Sequence, residues 1–358
     1  MGVLAFFLIL GILIIVHEFG HFIIARKAGI RVEKFSLGFG PAILRKKTKQ
    51  TEYTLNAVAL GGYVKLAGDS LEDYTGKADE YLAQKPSRRA AVVFAGPLLN
   101  YLLGIFCFWL IFVVGYPALT NKVGGLLDGY GAKTAGIQAG DKIVNINGKR
   151  ILFWEELQRQ VQDASDKSSL EVVVLRGEKE INFTIPLKDK QVEDLIGQKK
   201  RVGLLGVIPA EEFVTVRYNP FKALYYASLK SVDLTVMTYR ALWFMVSGRL
   251  SFRDSVTGPL GIFYITNKTA GLGILALVHL VGILSISLAL FNILPFPVLD
   301  GGHLFFLLVE KIRGKGLSPK ADQIVANFGM TAIIALAIFV TYNDILKFKD
   351  KLFGFFIK

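Results

Sequence analysis

His17, Glu18 and His21 interrupt an otherwise apolar run, IIVHEFGHFII over residues 14–24. On a helix, positions four apart share one face about one turn apart, so both imidazoles can reach a single metal ion while Glu18 stands beside them. This is the His-Glu-x-x-His spacing with which a helix holds zinc and sets a general base next to it. Two histidines and a glutamate at bilayer depth cost on the order of several kcal/mol unless they pair or bind something. Their placement therefore points to function rather than packing.

A catalytic zinc takes three protein ligands and keeps a further position open. Candidates for the third lie far along the chain, in FNILPFPVLDGGH over residues 291–303. Pro295 and Pro297 break a hydrophobic run, so the chain can bend there and present Asp300 at membrane depth. Asp300 with Gly301 and Gly302 also fits a surface turn, and His303, one helical turn on, competes for the ligand role. Asn292, just ahead of the break, adds an uncharged donor and acceptor. His279 reads as a packed or hydrogen-bonded residue within its helix.

The elements that must position these groups are membrane spans. Of the 358 residues 52% are hydrophobic and the mean hydropathy is +0.45, too apolar for a soluble enzyme of this length. Runs near 3–24, 92–114, 273–294 and 328–346 are each long enough to cross about 30 Å of hydrocarbon at about 1.5 Å per residue. Four spans are expected. The first run lacks a basic leader, and cleavage after it would discard the histidine motif, so it is expected to be retained. The opening Met-Gly lacks Ser or Thr at position 6, which argues against myristoylation.

A net charge of +13 would raise nucleic acid as a partner for a soluble protein. Here residues 26–89 carry thirteen Lys/Arg against seven Asp/Glu, as a cytoplasmic loop beside anionic lipid does, so lipid and not nucleic acid is the expected partner. The N-terminus is then outside and the segment from about 115 to 270 extracytoplasmic. The basic tail KFKDKLFGFFIK runs against that orientation. His17 lies roughly 21 Å along the helix from Val3, and Arg26 and Lys27 follow soon after His21, which sets the motif below the cytoplasmic surface but not at the midplane. Cys107 is the single cysteine, so no internal disulfide can form.

Between the first two spans, KFSLGFGPAIL and TEYTLNAVALGGYVKL read as extended segments around the charged turn RKKTKQ, with Gly38, Gly40, Gly61 and Gly62 permitting bends or close backbone approach. GPLLN over 96–100 reads as a helix start with Pro97 in the first turn, and Asn100 is a candidate for shaping the polar site. KVGGLLDGYGAKTAGIQAGDKIVNINGKRI reads as strands joined by small-residue, Gly-Asp and Asn-Gly turns. FWEELQRQVQDA reads as an amphipathic helix with Phe153, Leu157 and Val161 four apart, and SLEVVVLRG and INFTIPL as further strands. Residues 191–215 read as a linker with one short strand at VGLLGVI. Residues 219–247 read as an interfacial helix, because Lys222, Lys230, Asp233 and Arg240 break its apolar surface.

HEFGH in a first hydrophobic segment, GFG at 38–40, GPLLN at 96–100, the strand-rich insert, then GPLGI and FNILPFPVLDGG before the last segment resembles the site-2 protease family of intramembrane zinc metalloproteases. More narrowly it is similar to the regulator of sigma-E protease (RseP-like) branch with a single PDZ domain. The resemblance runs nearly end to end. It implies Zn2+ held by His17, His21 and Asp300, with His303 excluded, Glu18 as the catalytic base, and Asn292 holding substrate. It also implies that Gly38, Phe39 and Gly40 belong to a membrane-associated β hairpin that meets the substrate.

The expected fold is thus a polytopic α-helical membrane protein with about four transmembrane helices, a membrane-associated β hairpin and an inserted extracytoplasmic α+β PDZ domain. The expected division is 1–115 (first membrane part), 116–190 (PDZ domain), 191–270 (linker and interfacial helix) and 271–358 (second membrane part). The expected partners are single-pass transmembrane substrates of the anti-sigma-factor or remnant-signal-peptide type, membrane lipid, and a peptide ligand of the PDZ domain. The resemblance implies the bacterial inner membrane, with the active site toward the cytoplasm. The competing class is a PDZ-bearing scaffold with a structural or inactive metal site, which would not require the base Glu18.

Overall fold

The first apolar run contains no proline and ends on basic residues, and it forms one unbroken helix, α1 (Gly2–Lys27). Arg26 and Lys27 occupy its last turn, where positive charge offsets the helix dipole. Gly29, in the left-handed region (φ 78), closes it: its N–H donates to Arg26 O at 3.1 Å and that of Ile30 to Ala25 O at 2.9 Å. The structure, a computed structural model, describes residues 2–164, 167–193, 199–316 and 318–356. It divides into two units, residues 1–111, 220–240 and 251–358 in one and 112–219 with 241–250 in the other.

Two bent strands follow, β1 (Val32–Lys47) and β2 (Glu52–Leu66). Arg45, Lys46 and Lys47 face Thr54, Tyr53 and Glu52 as in an ordinary hairpin, and Phe35–Leu37 face Val64–Gly62 in the same antiparallel sense. Lys34–Leu37 also pair with Glu52–Leu55, and there the residue numbers rise together, so this third ladder is parallel. The hairpin expected from sequence is therefore a sheet of four arms, in the order 42–47, 52–56, 34–39, 62–66. Gly38 and Gly40 (φ 84 and 85) make the bend in β1. Buried polar groups fix it: Thr54 Oγ1 and Asn56 Nδ2 donate to Ser36 Oγ at 3.0 and 2.9 Å, and Asn56 Nδ2 to Gly38 O at 2.9 Å.

Helix α2 (Pro86–Val114) begins earlier than the hydrophobic run and holds Pro97 in its interior. GPLLN is thus not a helix start. Pro86 takes the N-terminal place, and Pro97, which lacks an N–H, leaves the Val93 carbonyl without its usual helical donor.

The second unit begins with β3 (Tyr116–Leu119), β4 (Val123–Leu126), the short α3 (Gly131–Ala135), β5 (Lys142–Ile146), β6 (Lys149–Arg150) and α4 (Trp154–Asp163). It continues through β7 (Ser169–Arg176), β8 (Lys179–Pro186), β9 (Lys188–Glu193), β10 (Lys199–Leu204), β11 (Val207–Pro209) and β12 (Phe213–Val216). An antiparallel sheet in the order β6-β5-β7-β8 presents Ile143, Ile146, Leu170, Val172, Val174 and Ile185 to the core, where α4 adds Trp154, Leu157 and Val161. Trp154 takes the buried place expected of Phe153, which caps the helix instead. The stretch read as a linker supplies strands: β10 pairs with β9, β11 with β4 and β12 with β3.

The chain returns to the first unit through α5 (Pro220–Val246), then forms α6 (Phe252–Ser255), α7 (Pro259–Ala270), α8 (Ile274–Ile293), α9 (Asp300–Arg313) and α10 (Pro319–Phe356). Among the described residues, four helices are long and apolar enough to cross a membrane: α1, α2, α8 and the Lys320–Lys347 stretch of α10. These match the four expected runs, and α5 is not among them. GPLGI gains a structural explanation. Pro259 stands at the first turn of α7, and the fully buried Asp344 of α10 accepts the Gly258 and Gly261 N–H groups at 3.0 and 2.8 Å.

In the second unit Asp141 carries the Gly-Asp turn. Its buried carboxylate accepts Arg176 Nε and Nη2 at 2.8 Å each and the Gln138 N–H at 2.9 Å. Burial alone would raise this carboxyl, but those hydrogen bonds hold it below the usual carboxylate range. Its contribution is whole above about pH 4 and is lost as the pH falls through the lowered folded-state value. Asp141→Ala is expected to destabilise residues 112–219 by about 1.5–3 kcal/mol. Hydrogen exchange of the intact protein at neutral pH should show the loss of protection there and not in α1 or α2.

Candidate metal centre

Three helices bring the candidate ligands together. His17 and His21 lie on one face of α1, and Asp300 is the first residue of α9. His17 Nε2 is 3.2 Å from His21 Nε2 and 3.1 Å from Asp300 Oδ2, and His21 Nε2 is 3.6 Å from the same oxygen. Bonds of about 2.0–2.1 Å to a tetrahedral ion would set ligand atoms roughly 3.3 Å apart, so the triangle has the size zinc requires. Asp300 Oδ2 is buried and accepts no hydrogen bond. Behind His21, Nδ1 lies 2.9 Å from Val92 O, which places its proton there and turns the Nε2 lone pair toward the other ligands. Lone pairs facing a bare carboxylate oxygen repel unless a cation sits among them, and the donor set fits zinc.

Glycines set how closely the helices approach. A Cβ at Gly96 of α2 would stand 2.3 Å from His21 Nε2 and 2.9 Å from His17 Cε1. One at Gly20 would stand 2.3 Å from Ala95 O, so α1 and α2 meet backbone to backbone beneath the imidazoles. In α9, a Cβ at Gly301 would stand 2.1 Å from Ile293 O and one at Gly302 2.2 Å from Phe296 O. The loop 294–299 is thereby pressed against the start of α9, and Val298 holds a left-handed conformation (φ 77) that costs a β-branched residue about 1–3 kcal/mol. Asp300 is thus presented by a closed, strained loop and not by a free surface turn. At the other end of α9, Glu310 pairs with the buried Arg89 of α2. Beside that guanidinium, burial pushes the Tyr81 phenol up to about 12.

Glu18 is half-buried beside the ligands, and the 62–66 arm of β2 lies over it. A Cβ at Gly62 would stand 3.3 Å from Glu18 Cγ, so the arm passes close over the Glu18 side chain. Phe39, 47% exposed, stacks on Tyr63 and covers Gly61, where a Cβ would stand 2.1 Å from its ring. Gly38, Phe39 and Gly40 thus sit at the bend beside the arm that faces Glu18. Asn292 is half-buried in the last turn of α8. His303 is exposed and outside the ligand triangle, and His279 packs its ring on Phe108 with centroids 5.5 Å apart.

The model of peptidase family M50 matches residues 5–336. The chain belongs to peptidase family M50. Relatives of this M50 peptidase include Atu1380 of Agrobacterium fabrum, 33% identical over 96% of this chain and 95% of that one. The regulator of sigma-E protease RseP of Escherichia coli is 28% identical over 95% of this chain and 97% of its own. Among solved structures, the PDZ domain of an SdrC-like protein from Listeria innocua is 20% identical over 26% of this chain and 96% of that one, with a TM-score of 0.21. Membership in M50, the site-2 proteases, makes the chain a metalloprotease.

In this M50 peptidase the sequence reading passed over Gly20, Gly96 and the Val92 carbonyl. Gly20 lies inside HEFGH and Gly96 opens GPLLN, so the signal was small residues on two apolar helices, which alone does not say that the helices face each other. Gly96→Ala is expected to lose most of the bound metal while the helix content stays unchanged, and Asp300→Ala to lose it likewise. Metal analysis alongside far-UV circular dichroism checks both. Full metal occupancy in Gly96→Ala would mean that the imidazoles do not depend on the α1–α2 approach.

Proposed function

We propose that this chain is an intramembrane zinc metalloprotease that hydrolyses a peptide bond within or near the transmembrane helix of single-pass membrane proteins. The observation that carries the reading is the convergence of His17 Nε2, His21 Nε2 and Asp300 Oδ2 on a helix of membrane-spanning character, with Glu18 beside them. His17, His21 and Asp300 would hold the zinc. Once bound, zinc supplies Lewis acidity, polarising a carbonyl and bringing the pKa of a water toward about 7. Glu18 takes the proton of the attacking water and returns it to the leaving amine. The 62–66 arm, close to Glu18 at Gly62, limits where its side chain can turn.

A transmembrane substrate has every peptide group hydrogen-bonded within its own helix, so cutting it requires local unwinding and new backbone partners. The 62–66 arm supplies them. It is an outer arm of its sheet, paired with 34–37 on one side, and it runs past Glu18. An extended substrate segment added there would gain main-chain hydrogen bonds within reach of the base. Gly38, Phe39 and Gly40 shape the bend beside that arm, and Asn292 contacts the substrate from the end of α8. Residues 116–190 form a PDZ domain that accepts extended peptide by strand addition and restricts entry to substrates already shorn of their outer domain.

The basic 26–89 segment supports a cytoplasmic face for the site and an extracytoplasmic PDZ domain, in the bacterial inner membrane that the RseP relative suggests. Substrates of the anti-sigma-factor or remnant-signal-peptide class fit this arrangement. A scaffold with a structural metal site is disfavoured, since it would need no base at Glu18. Glu18→Gln is expected to retain zinc and to lower cleavage of a tagged single-pass substrate lacking its outer domain by about 10²–10⁴-fold. Zinc content and gel-resolved cleavage in detergent check this. Equal cleavage by both proteins would remove Glu18 from the mechanism.

A further inference from the structure

Each imidazole that offers Nε2 to a metal must carry its proton on Nδ1, and that N–H needs an acceptor. His21 has one in Val92 O. Behind His17 stands the side chain of Asn100, one helical turn after Gly96 on α2 and fully buried. As placed, its Nδ2 faces His17 Nδ1 at 3.4 Å, and its Oδ1 is buried without a partner. With the proton on Nδ1, that arrangement sets donor against donor and strands an acceptor. Carboxamide oxygen and nitrogen have nearly the same shape, and their assignment follows from the hydrogen-bond network. Exchanging them removes the donor–donor conflict: Oδ1 accepts the His17 Nδ1–H, and the NH2 group takes the buried position where Oδ1 stood.

The position of Asn100 is itself fixed. Ser285 of α8, also fully buried, donates its hydroxyl to Asn100 O at 2.7 Å. Gly104, one turn further along α2, lies so close to α8 that a Cβ there would stand 2.4 Å from Ile286 Cγ1. The backbone that carries the amide is therefore held in place at the packed contact between α2 and α8.

We propose that Asn100 is a positioning residue for the metal centre: its carboxamide oxygen accepts the Nδ1 proton of His17, fixing the tautomer that leaves the Nε2 lone pair free to bind zinc. The inference rests on the zinc reading of the site, and it gives GPLLN two roles, with Gly96 making room for both rings and Asn100 orienting one of them.

The test is zinc affinity of the full-length protein in detergent, measured by competition with a chromophoric chelator after metal removal, so that it does not depend on proteolysis. Asn100→Leu keeps the bulk and removes the acceptor, and is expected to weaken zinc binding about 10–100-fold. Asn100→Asp restores an acceptor oxygen and is expected to bind within a few-fold of wild type. Weak binding by Leu together with recovery by Asp cannot come from lost packing alone. Unchanged affinity in Asn100→Leu, or equal loss in both variants, would overturn the assignment. A wild type that takes up no zinc would overturn the metal reading as well, whereas zinc in wild type with wild-type affinity in Asn100→Leu would overturn this inference only.

Discussion

Three electron-rich atoms held about 3 Å apart at membrane depth are the condition on which the rest of this structure depends. With both imidazole protons on Nδ1, His17 Nε2, His21 Nε2 and Asp300 Oδ2 present lone pairs to one another. Lipid offers no water to separate them. A cation at the centre would relieve that repulsion, and the surrounding helices would have to resist it before the cation binds. The scaffold meets this demand largely with close backbone approaches at glycines, which would hold the three atoms in place before a metal binds.

Those contacts form a closed circuit. Gly20 and Gly96 bring α1 against α2, Ser285 and Gly104 bring α2 against α8, and Gly301 seats α9 on the last residues of α8. Arg89 and Glu310 then return from α9 to α2. A side chain at any of these glycines would open one join and move a ligand relative to the others. The strain at Val298 belongs to the same circuit, because the loop must turn sharply to bring Asp300 back to a helix some 280 residues earlier in the chain.

The parts legible in the sequence were those whose determinants are local. His17, Glu18 and His21 obey the helical period within five residues, and the four spans announce themselves by length and apolarity. Asp300 was one of two candidates from its own neighbourhood, because nothing near it says which side chain will face α1. Its selection over His303 came from the family pattern, and in the structure His303 is exposed and stands apart from His17 and His21. GPLLN misled because a Gly-Pro pair looks like a helix start, whereas Pro97 sits inside α2 and the true start at Pro86 lies in a charged stretch with little apolar signal. The hairpin was half right for a similar reason. Period-two alternation shows that 34–39 and 52–56 are extended, but the parallel ladder between them depends on a bend at Gly38 and Gly40 that carries no direction in the sequence. VGLLGVI marks one strand where β10 and β11 lie, whereas β12 was hidden because a short segment pairing with residues some 95–100 positions earlier leaves no local trace.

The sheet and the metal centre answer two halves of one difficulty. Hydrolysis at membrane depth needs water, a base and an unwound peptide, and each is unfavourable in hydrocarbon by itself. Placing the 62–66 arm over Glu18 couples them. Gly62, which lies against Glu18, belongs to the same outer arm that would receive an extended chain, so a peptide added there would lie beside that carboxylate. Gly62 makes the approach close enough, since a larger residue would push the arm away from Glu18 and Ile14 together. The polar knot of Ser36, Thr54 and Asn56 ties the central arms to each other and so fixes the sheet that carries the outer arm.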